Sequence, residues 1–341
     1  NPDSETGSGY WAHQYDTTFD WNSEYVGAGP AYGYWTGGAT PSVISSVSRI
    51  DYSSDTPTAA AKGPLSVARR DHAGTGNQSY GYHSGGQPPY LTTVDRIDYS
   101  SDTPTAAVKG PLSSARGYIA ATGNASYGYF AGGKPGPLST VDRIDYSSDT
   151  PTAAVKGPLS DAMYYTAGTG TQSYGYIGSG SPTISSVDRI DYSNDTATAV
   201  AKGPLSVEKR WRGATGNSSY GYWAGGVAGY GSPTISTVDR VDYSNDTATA
   251  VAKGPLSAGN YAFSATGSAS YGWFAGGAYD AKSTVDRVDY SNDTATAAVK
   301  GPLDVAKYAT GASSGQANAL PTGSTELYTC ALSPVNDGSW H

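Results

Sequence analysis

The chain has 341 residues and a formal net charge of −8, with 29 tyrosines, 45 glycines and a single cysteine, Cys330. An acidic chain lacks the basic face that neutralises phosphates, so we expect no nucleic-acid partner. No apolar run approaches the roughly 20 residues of a membrane-spanning helix, so we expect no membrane partner either. One cysteine cannot form an internal disulfide.

An internal repeat organises the sequence. The phrase Val-Asp-Arg-Ile-Asp-Tyr-Ser, with small changes, occurs six times, and its arginines are Arg49, Arg96, Arg143, Arg189, Arg240 and Arg287. A second phrase, Tyr-Gly-Tyr-x-x-Gly-Gly, keeps the same spacing. A period of about 47 residues means that each copy is one supersecondary unit that cannot bury its apolar face alone. We therefore expect an array of similar units.

The unit at residues 113–159 gives the predicted elements in chain order. Residues 118–122 form a short apolar segment before a Gly-Asn turn signal, and residues 127–131 are aromatic-rich and precede a Gly-Gly pair. Residues 139–146 alternate with period two, and residues 152–155 follow a Ser-Ser-Asp turn. Four short strands with short links predict an all-β fold, a β-propeller of four-stranded antiparallel blades, without long helices.

The same unit resembles a kelch repeat. Its Pro-rich opening ends at Arg116, its Gly-Gly pair follows Tyr129, and residues 141–145 are in register with the Val-x-x-Tyr-Asp strand of the kelch pattern. The likeness extends over about residues 21–303. It implies a propeller of six complete kelch-like repeats.

Two kelch aromatic positions are changed. The tyrosine before the strand's aspartate is Ile144 here, and the kelch tryptophan is Pro151. Since those aromatics normally pack between blades, we expect Tyr127, Tyr129 and Tyr146 to supply that packing instead.

The phrasing of the repeat carries a second resemblance. The phrases Asp-Tyr-Ser-Asn-Asp-Thr and Ala-Thr-Gly-Asn-x-Ser-Tyr-Gly-Tyr resemble virion structural proteins of marine tailed phages. That resemblance implies a virion or extracellular location, with other virion proteins as partners and a homo-oligomer within a larger assembly.

The two ends of the chain hold roughly one further blade of material. We assign residues 1–20 to an N-terminal arm or a strand of a closing blade, residues 21–304 to the six repeats, and residues 305–341 to closing strands or a tail. Closure removes exposed sheet edges, which favours a composite blade. We favour seven blades with a composite last one; six blades with two arms is the alternative.

The loops differ between the two faces of such a disc. Loops 1–2 and 3–4 share one face and are nearly the same in all copies, whereas loops 2–3 and 4–1 share the other face and vary. The variation is aromatic and cationic, as recognition surfaces are, although unconstrained drift is the alternative. The predicted ligand- or partner-binding residues are Arg69, Arg70, His72, Tyr90, Tyr118, Tyr164, Tyr165, Lys209, Arg210, Trp211, Arg212, Tyr230, Tyr261, Phe263 and Tyr279.

The repeated charges have structural explanations. Arg143 and Asp145 lie two residues apart on one strand face, so we expect them and their equivalents to form salt bridges between blades. Asp98 and Asp102 flank a turn and could supply oxygen ligands to calcium, but hydrogen bonding within the turn is the expected role.

Catalytic motifs are weak. The histidines, His13, His72, His83 and His341, show no metal-ligand spacing, and we expect no metal, no cofactor and no enzymatic activity. The sequence thus predicts a non-catalytic phage virion module for structure or adhesion, whose variable face meets a host-surface glycan or a neighbouring virion protein. The alternatives are a self-assembling subunit of a tube or filament without external ligand, and a glycan-degrading propeller enzyme.

Overall fold

The protein is a six-bladed β-propeller. The computed structural model describes residues 31–182, 184–229, 231–318 and 320. Six antiparallel sheets of four strands each surround a central axis, and the innermost strands of neighbouring blades pack against one another. The helical elements of the described residues are three short 3₁₀ turns, Tyr192–Asn194, Tyr243–Asn245 and Tyr290–Asn292.

The strands of each blade are three to eight residues long. From the axis outwards they are Gly311–Ser314, Tyr32–Thr36, Val47–Asp51 and Ala60–Lys62 in the first blade; Ala73–Gly76, Tyr80–Ser84, Val94–Asp98 and Ala107–Lys109 in the second; Ala120–Gly123, Tyr127–Ala131, Val141–Asp145 and Ala154–Lys156 in the third; Ala167–Gly170, Tyr174–Gly180, Ile184–Asp191 and Val200–Lys202 in the fourth; Gly213–Gly216, Tyr220–Ala224, Val238–Asp242 and Val251–Lys253 in the fifth; and Ser264–Gly267, Tyr271–Ala275, Val285–Asp289 and Ala298–Lys300 in the sixth. A small hairpin, Ala39–Thr40 with Ser42–Val43, extends the first blade's 2–3 loop.

The first blade closes the ring with a strand from the far end of the chain. Gly311–Ser314 pairs antiparallel with Tyr32–Thr36, with Trp35 opposite Ala312. The favoured count of seven blades is therefore wrong. The chain after the sixth repeat begins another unit, but its first strand, Gly311–Ser314, completes the first blade instead of starting a seventh. Residues 1–30, including the expected arm and the expected first unit start at Trp21, lie outside the described residues, as do residues 321–341.

One buried carboxylate joins each pair of neighbouring blades. Between the third and fourth blades, Asp195 accepts from Arg143 Nη1 at 2.7 Å, from Lys156 Nζ at 3.1 Å and from the Tyr129 hydroxyl at 2.9 Å. The equivalent carboxylates at all six interfaces are Asp55, Asp102, Asp149, Asp195, Asp246 and Asp293. The salt bridges are thus between blades, as expected, but Asp145 is not the partner: it accepts from Ser147 within its own turn.

Tyrosine rings pack across the same interfaces. Tyr129 stacks on Tyr192 with ring centroids 4.6 Å apart, and Tyr82 stacks on Tyr146 at the same distance. Tyr127 lies under the Arg143 guanidinium, 4.3 Å from its ring centroid. Tyr129 and Tyr146 therefore pack between blades, as expected, and Tyr127 packs against the cluster that joins the third and fourth blades.

The Gly-Pro pair after each outermost strand allows the blades to approach closely. The N–H of Gly157 donates to the carbonyl of Asp195 in the next blade at 2.8 Å. A Cβ at Gly157 would lie 1.9 Å from the carbonyl oxygen of Ala197, so only glycine fits there.

Replacing Asp195 with Asn should destabilise the fold, because the change leaves Arg143 and Lys156 without their counter-charge. We expect a loss of about 2–4 kcal/mol in chemical denaturation. The matched control is Asp145→Asn, which keeps an acceptor for Ser147 and should cost less than about 1 kcal/mol. Equal losses in the two variants would contradict the assignment of Asp195 as the inter-blade partner.

Acid should weaken the inter-blade contacts. Burial raises the pKa of Asp149, Asp195 and Asp246, but hydrogen bonds from the neighbouring Tyr and Lys and the Arg charge outweigh burial, so each pKa lies below its ordinary value. Stability from these groups is present above the unfolded-chain pKa of about 3.9 and is lost as pH falls through the lower folded-state pKa. A melting temperature followed from pH 6 to pH 2 should fall below about pH 4, and less steeply in Asp195→Asn.

Candidate functional site

A ring of backbone hydrogen bonds closes the channel on the variable face. Six equivalent residues, one in each 4–1 loop, have φ between 55° and 59°. Each N–H donates to the carbonyl of the equivalent residue in the neighbouring blade, at 2.6–3.2 Å, so that six bonds form a closed circle. The members of this axial ring are Asp71, Tyr118, Tyr165, Trp211, Ala262 and Ala309. Positive φ is uncommon for Tyr, Trp and Ala, and the circle of bonds offsets that strain.

The axial ring places aromatic side chains next to one another. Tyr165 lies 4.4 Å from Tyr118 and 4.2 Å from Trp211, measured between ring centroids. Residues just before the axial ring and in the 2–3 loops extend the series. We call the series the aromatic arc: Tyr118, Tyr164, Tyr165, Trp211, Tyr261, Tyr279 and Tyr308. Each ring has a neighbour in the series at 4.2–5.9 Å between centroids, and Tyr118 and Tyr164 both contact Tyr165.

Cations lie on the arc. The Lys134 ammonium is 4.2 Å from the Tyr164 ring centroid, and the Arg210 guanidinium carbon is 4.6 Å from that of Trp211. Of the 21 Lys and Arg residues of the chain, 16 form ion pairs among the described residues. The other five all lie in the 2–3 and 4–1 loops: Lys134, Lys209, Arg210, Lys282 and Lys307.

The structure brings together six of the predicted aromatic residues and Arg210. Tyr118, Tyr164, Tyr165, Trp211, Tyr261 and Tyr279 are all members of the arc. Arg70 lies at its far end, where it contacts Asp71 at 3.4 Å and donates to the Tyr308 hydroxyl at 3.3 Å. Tyr90 and Lys209 are half-buried in neighbouring loops of this face. Tyr230 lies outside the described residues.

Five predicted residues have buried side chains; one of them is Trp211, which lies on the face but is only 7 % exposed. Arg69 pairs with Asp95, and Arg212 donates to Asp239 and to the carbonyl of Trp223, each at 2.7 Å. They and the buried His72 and Phe263 lie two residues before or one residue after an axial-ring position. Side chains two residues before and one residue after an axial-ring residue lie between the blades. Side chains of the axial-ring residue and of the residue just before it lie on the variable face.

His72 belongs to a buried polar cluster. Its Nε2 lies 2.8 Å from Thr36 Oγ1, which is also 2.9 Å from His83 Nδ1. Burial, and secondarily the charge of Arg69, lowers the pKa of both histidines.

Several residues of the face were not among the predicted ones. Tyr308 and Lys134 are part of the arc or lie directly on it. Burial raises the pKa of Asp71 to about 6, although Gln87 donates to its carboxylate at 2.9 Å. Aligning the last repeat start with the others would have placed Tyr308 level with Tyr164, because both immediately precede an axial-ring residue.

Cavities lie on both faces. One of about 220 Å³ on the variable face is lined by Trp211, Tyr261 and Tyr279 of the arc, together with the 2–3 loop of the fifth blade. A larger one, about 620 Å³, lies between the fourth and fifth blades on the opposite face, where loop phrases shared by the copies line it. Asn318 crosses that end of the channel, accepting from Gln172 of the fourth blade at 3.0 Å and donating to Thr75 of the second at 3.4 Å.

Comparisons with known proteins add no relative. No protein-family model matches the chain, and no curated protein matches it. Within the described ranges, no group of three or more His, Cys, Asp and Glu side chains is placed to hold a metal ion. No helix in that part of the chain is long and apolar enough to cross a membrane. The fold and the arc thus define a six-bladed propeller with a chemically distinct variable face.

Lys307 is buried and forms no ion pair with a described residue, although the charge of Asp304 acts against the effect of burial on its pKa. Its Nζ donates to the carbonyl of Trp35 at 2.9 Å, and the neighbouring blade carries Ser48 where Asp95 and Asp239 pair with arginines at other interfaces. Burial lowers the pKa of Lys307 to about 7.

Lys307→Met should therefore stabilise the protein at low pH. The folded-state pKa of about 7 lies below the unfolded value of about 10.4, so the penalty for Lys307 is full below pH 7 and disappears between pH 7 and pH 10. Chemical denaturation of both proteins should give a higher free energy of unfolding for the variant at pH 6. The difference between the two proteins should be smaller at pH 9.5. A gap that does not change with pH would contradict the lowered pKa.

Proposed function

We propose that the protein is a non-catalytic recognition module whose variable face binds carbohydrate. The aromatic arc carries the proposal. Its rings follow one another at 4.2–5.9 Å along one face, and cations lie over two of its members. Concave sites lined by aromatic side chains with a few polar groups are typical of small-ligand binding, and large aromatic and Arg side chains supply most of the energy of recognition.

The scaffold suits this use because it is rigid where the arc is attached. The axial ring fixes the backbone of Tyr118, Tyr165 and Trp211 through bonds to both neighbouring blades. A surface that is already ordered loses little conformational entropy when a ligand binds. Variable loops on a constant framework are a common arrangement for recognition.

The setting we propose is a phage virion. The kelch-like repeats and the repeat phrases that resemble marine tailed-phage proteins support a structural or adhesion protein on the particle, and hence an extracellular position. In that setting the opposite face meets other virion proteins in a homo-oligomeric assembly, and the arc meets a host-surface glycan.

One observation favours a self-assembling subunit as a second candidate. The outermost strands pair with no further strand among the described residues, and they expose valines: Val108, Val155 and Val299 are each 62 % exposed. Exposed strand edges are templates for pairing with another chain. Tubes or filaments in sedimentation and electron microscopy, together with no glycan binding, would favour this candidate.

Truncating one aromatic side chain of the arc should weaken glycan binding without unfolding the protein. On a glycan array followed by calorimetry with the bound sugars, Tyr164→Ala and Trp211→Ala should each cost about 2 kcal/mol or more in affinity, as truncated anchors do. Trp211 is more buried than Tyr164, so Trp211→Ala could fail to fold. Tyr164 is only half-buried, and Tyr164→Ala then still tests the proposal.

The matched control is Ser148→Ala, an exposed residue on the opposite face. It should leave both affinity and melting temperature unchanged. A wild-type protein that binds no glycan, or one that loses binding only in the Ser148 variant, would overturn the proposal.

A further inference from the structure

The cavity beside Trp211 has three aromatic walls. The Trp211 ring centroid is 5.9 Å from those of Tyr261 and Tyr279, and the two tyrosine centroids are 5.4 Å apart. Ser232 and Thr234 add hydroxyl groups to the lining. We call these five residues the aromatic pocket. Its volume of about 220 Å³ is below the roughly 300 Å³ at which sites for drug-sized ligands begin, so it is of a size for one sugar unit.

Arg210 lies at the edge of this pocket. One of its terminal nitrogens is 4.0 Å from the position that a Cβ on Gly229, a residue of the lining, would occupy. The guanidinium carbon lies 4.6 Å from the Trp211 ring centroid and 5.6 Å from that of Tyr165. The ring contacts fix the planar group in place at the mouth of the pocket.

The guanidinium of Arg210 has no acceptor in the described part of the chain. No ion pair or side-chain hydrogen bond joins it to a described residue, and its Nε is buried without a partner. In contrast, Arg69 and Arg212 are each held by a carboxylate and by backbone carbonyls. The described lining of the pocket contains no carboxylate that could take this role.

We propose that the aromatic pocket and Arg210 bind a carboxylated sugar unit of an acidic polysaccharide. The inference rests on the proposed carbohydrate binding and names its substrate class. A guanidinium fork matches the two oxygens of a carboxylate, and the bond is stronger than one between neutral groups. The sugar ring lies against Trp211 and the tyrosines, and Ser232 and Thr234 contact its hydroxyls. The net charge of −8 disfavours non-specific attraction of polyanions, so selectivity for acid requires a local site of this kind.

The test compares each acidic oligosaccharide with its own carboxyl-reduced form. Calorimetry on the full chain uses hexamers of galacturonic, glucuronic and mannuronic acid and their reduced, neutral counterparts. We expect at least one acid to bind about 10- to 100-fold more tightly than its neutral form, which is the usual worth of a hydrogen bond to a charged group. Arg210→Gln should bring the ratio close to one while leaving the affinity for the neutral form unchanged, and Arg210→Lys should restore part of it.

Lys282→Gln is the matched control, since it removes another cation of the variable-face loops that forms no ion pair with a described residue and lies outside the arc. It should keep the preference for the acid. If Lys282→Gln reduces the preference as much as Arg210→Gln does, a general positive field is responsible and the site is refuted. Equal binding of acid and neutral forms, or binding of dextran sulfate but of no uronic acid, also overturns this inference and leaves the proposed function standing. Failure of every oligosaccharide on a broad array overturns both.

Discussion

The architecture depends on one carboxylate between each pair of blades. Asp195 and its five equivalents each accept from an Arg, a Lys and an aromatic donor of the preceding blade. The hydrophobic clusters lie at the same interfaces: one of them joins Tyr82 and Val94 of the second blade to Ile144 and Tyr146 of the third. The interface that closes the ring is of the same kind: Arg287 and Lys300 lie 3.0 Å and 3.1 Å from Asp55, and Trp273 donates in place of the usual tyrosine. Six similar joints can close only as a complete circle.

A closed ring divides the positions of each 4–1 loop into two kinds. Side chains that lie between the blades differ from one repeat to another where their partners differ too. Arg69 pairs with Asp95, whereas Lys307 lies against a blade that has Ser48 at the position of Asp95. Where Met163 replaces the arginine, burial raises the pKa of the neighbouring Asp188. Side chains at the axial ring and just before it lie on the variable face, where they contact one another, as Tyr165 and Trp211 or Arg70 and Asp71 do. Diversity therefore collects on the face around the channel mouth, where a ligand can reach it.

The sequence predicted the blade, the assignment of loops to faces and the aromatic packing, because these follow from period-two strands and short links. The number of blades did not follow, since the closing strand Gly311–Ser314 carries none of the repeat's marker phrases. The period-two alternation of the strand predicted the side of the sheet on which Arg143 lies. It could not predict that the salt-bridge partner of Arg143 is Asp195 in the next blade. The predicted binding residues included the buried Arg69 and Phe263. The sequence of a 4–1 loop has no periodicity that shows which of its side chains lie between the blades, and only the axial ring identifies them.

The asymmetry of the arc is the strongest reason to place function on this face. Identical loops would offer one ligand six equivalent orientations around the axis, and no orientation would be preferred. Here the aromatic side chains run through five of the six blades, and the second blade interrupts them with Arg70, Asp71 and Gln87, which are joined by an ion pair and a hydrogen bond. The axial ring has the same backbone geometry in that blade as in the others, so the scaffold did not require the change. In the proposed binding mode, a ligand on the arc meets aromatic rings, two of them covered by Lys134 and Arg210, and the Arg70–Asp71 pair at one end, and this asymmetry fixes its direction. The proposed directional ligand, rather than the scaffold itself, would account for side chains that differ where the backbone is the same.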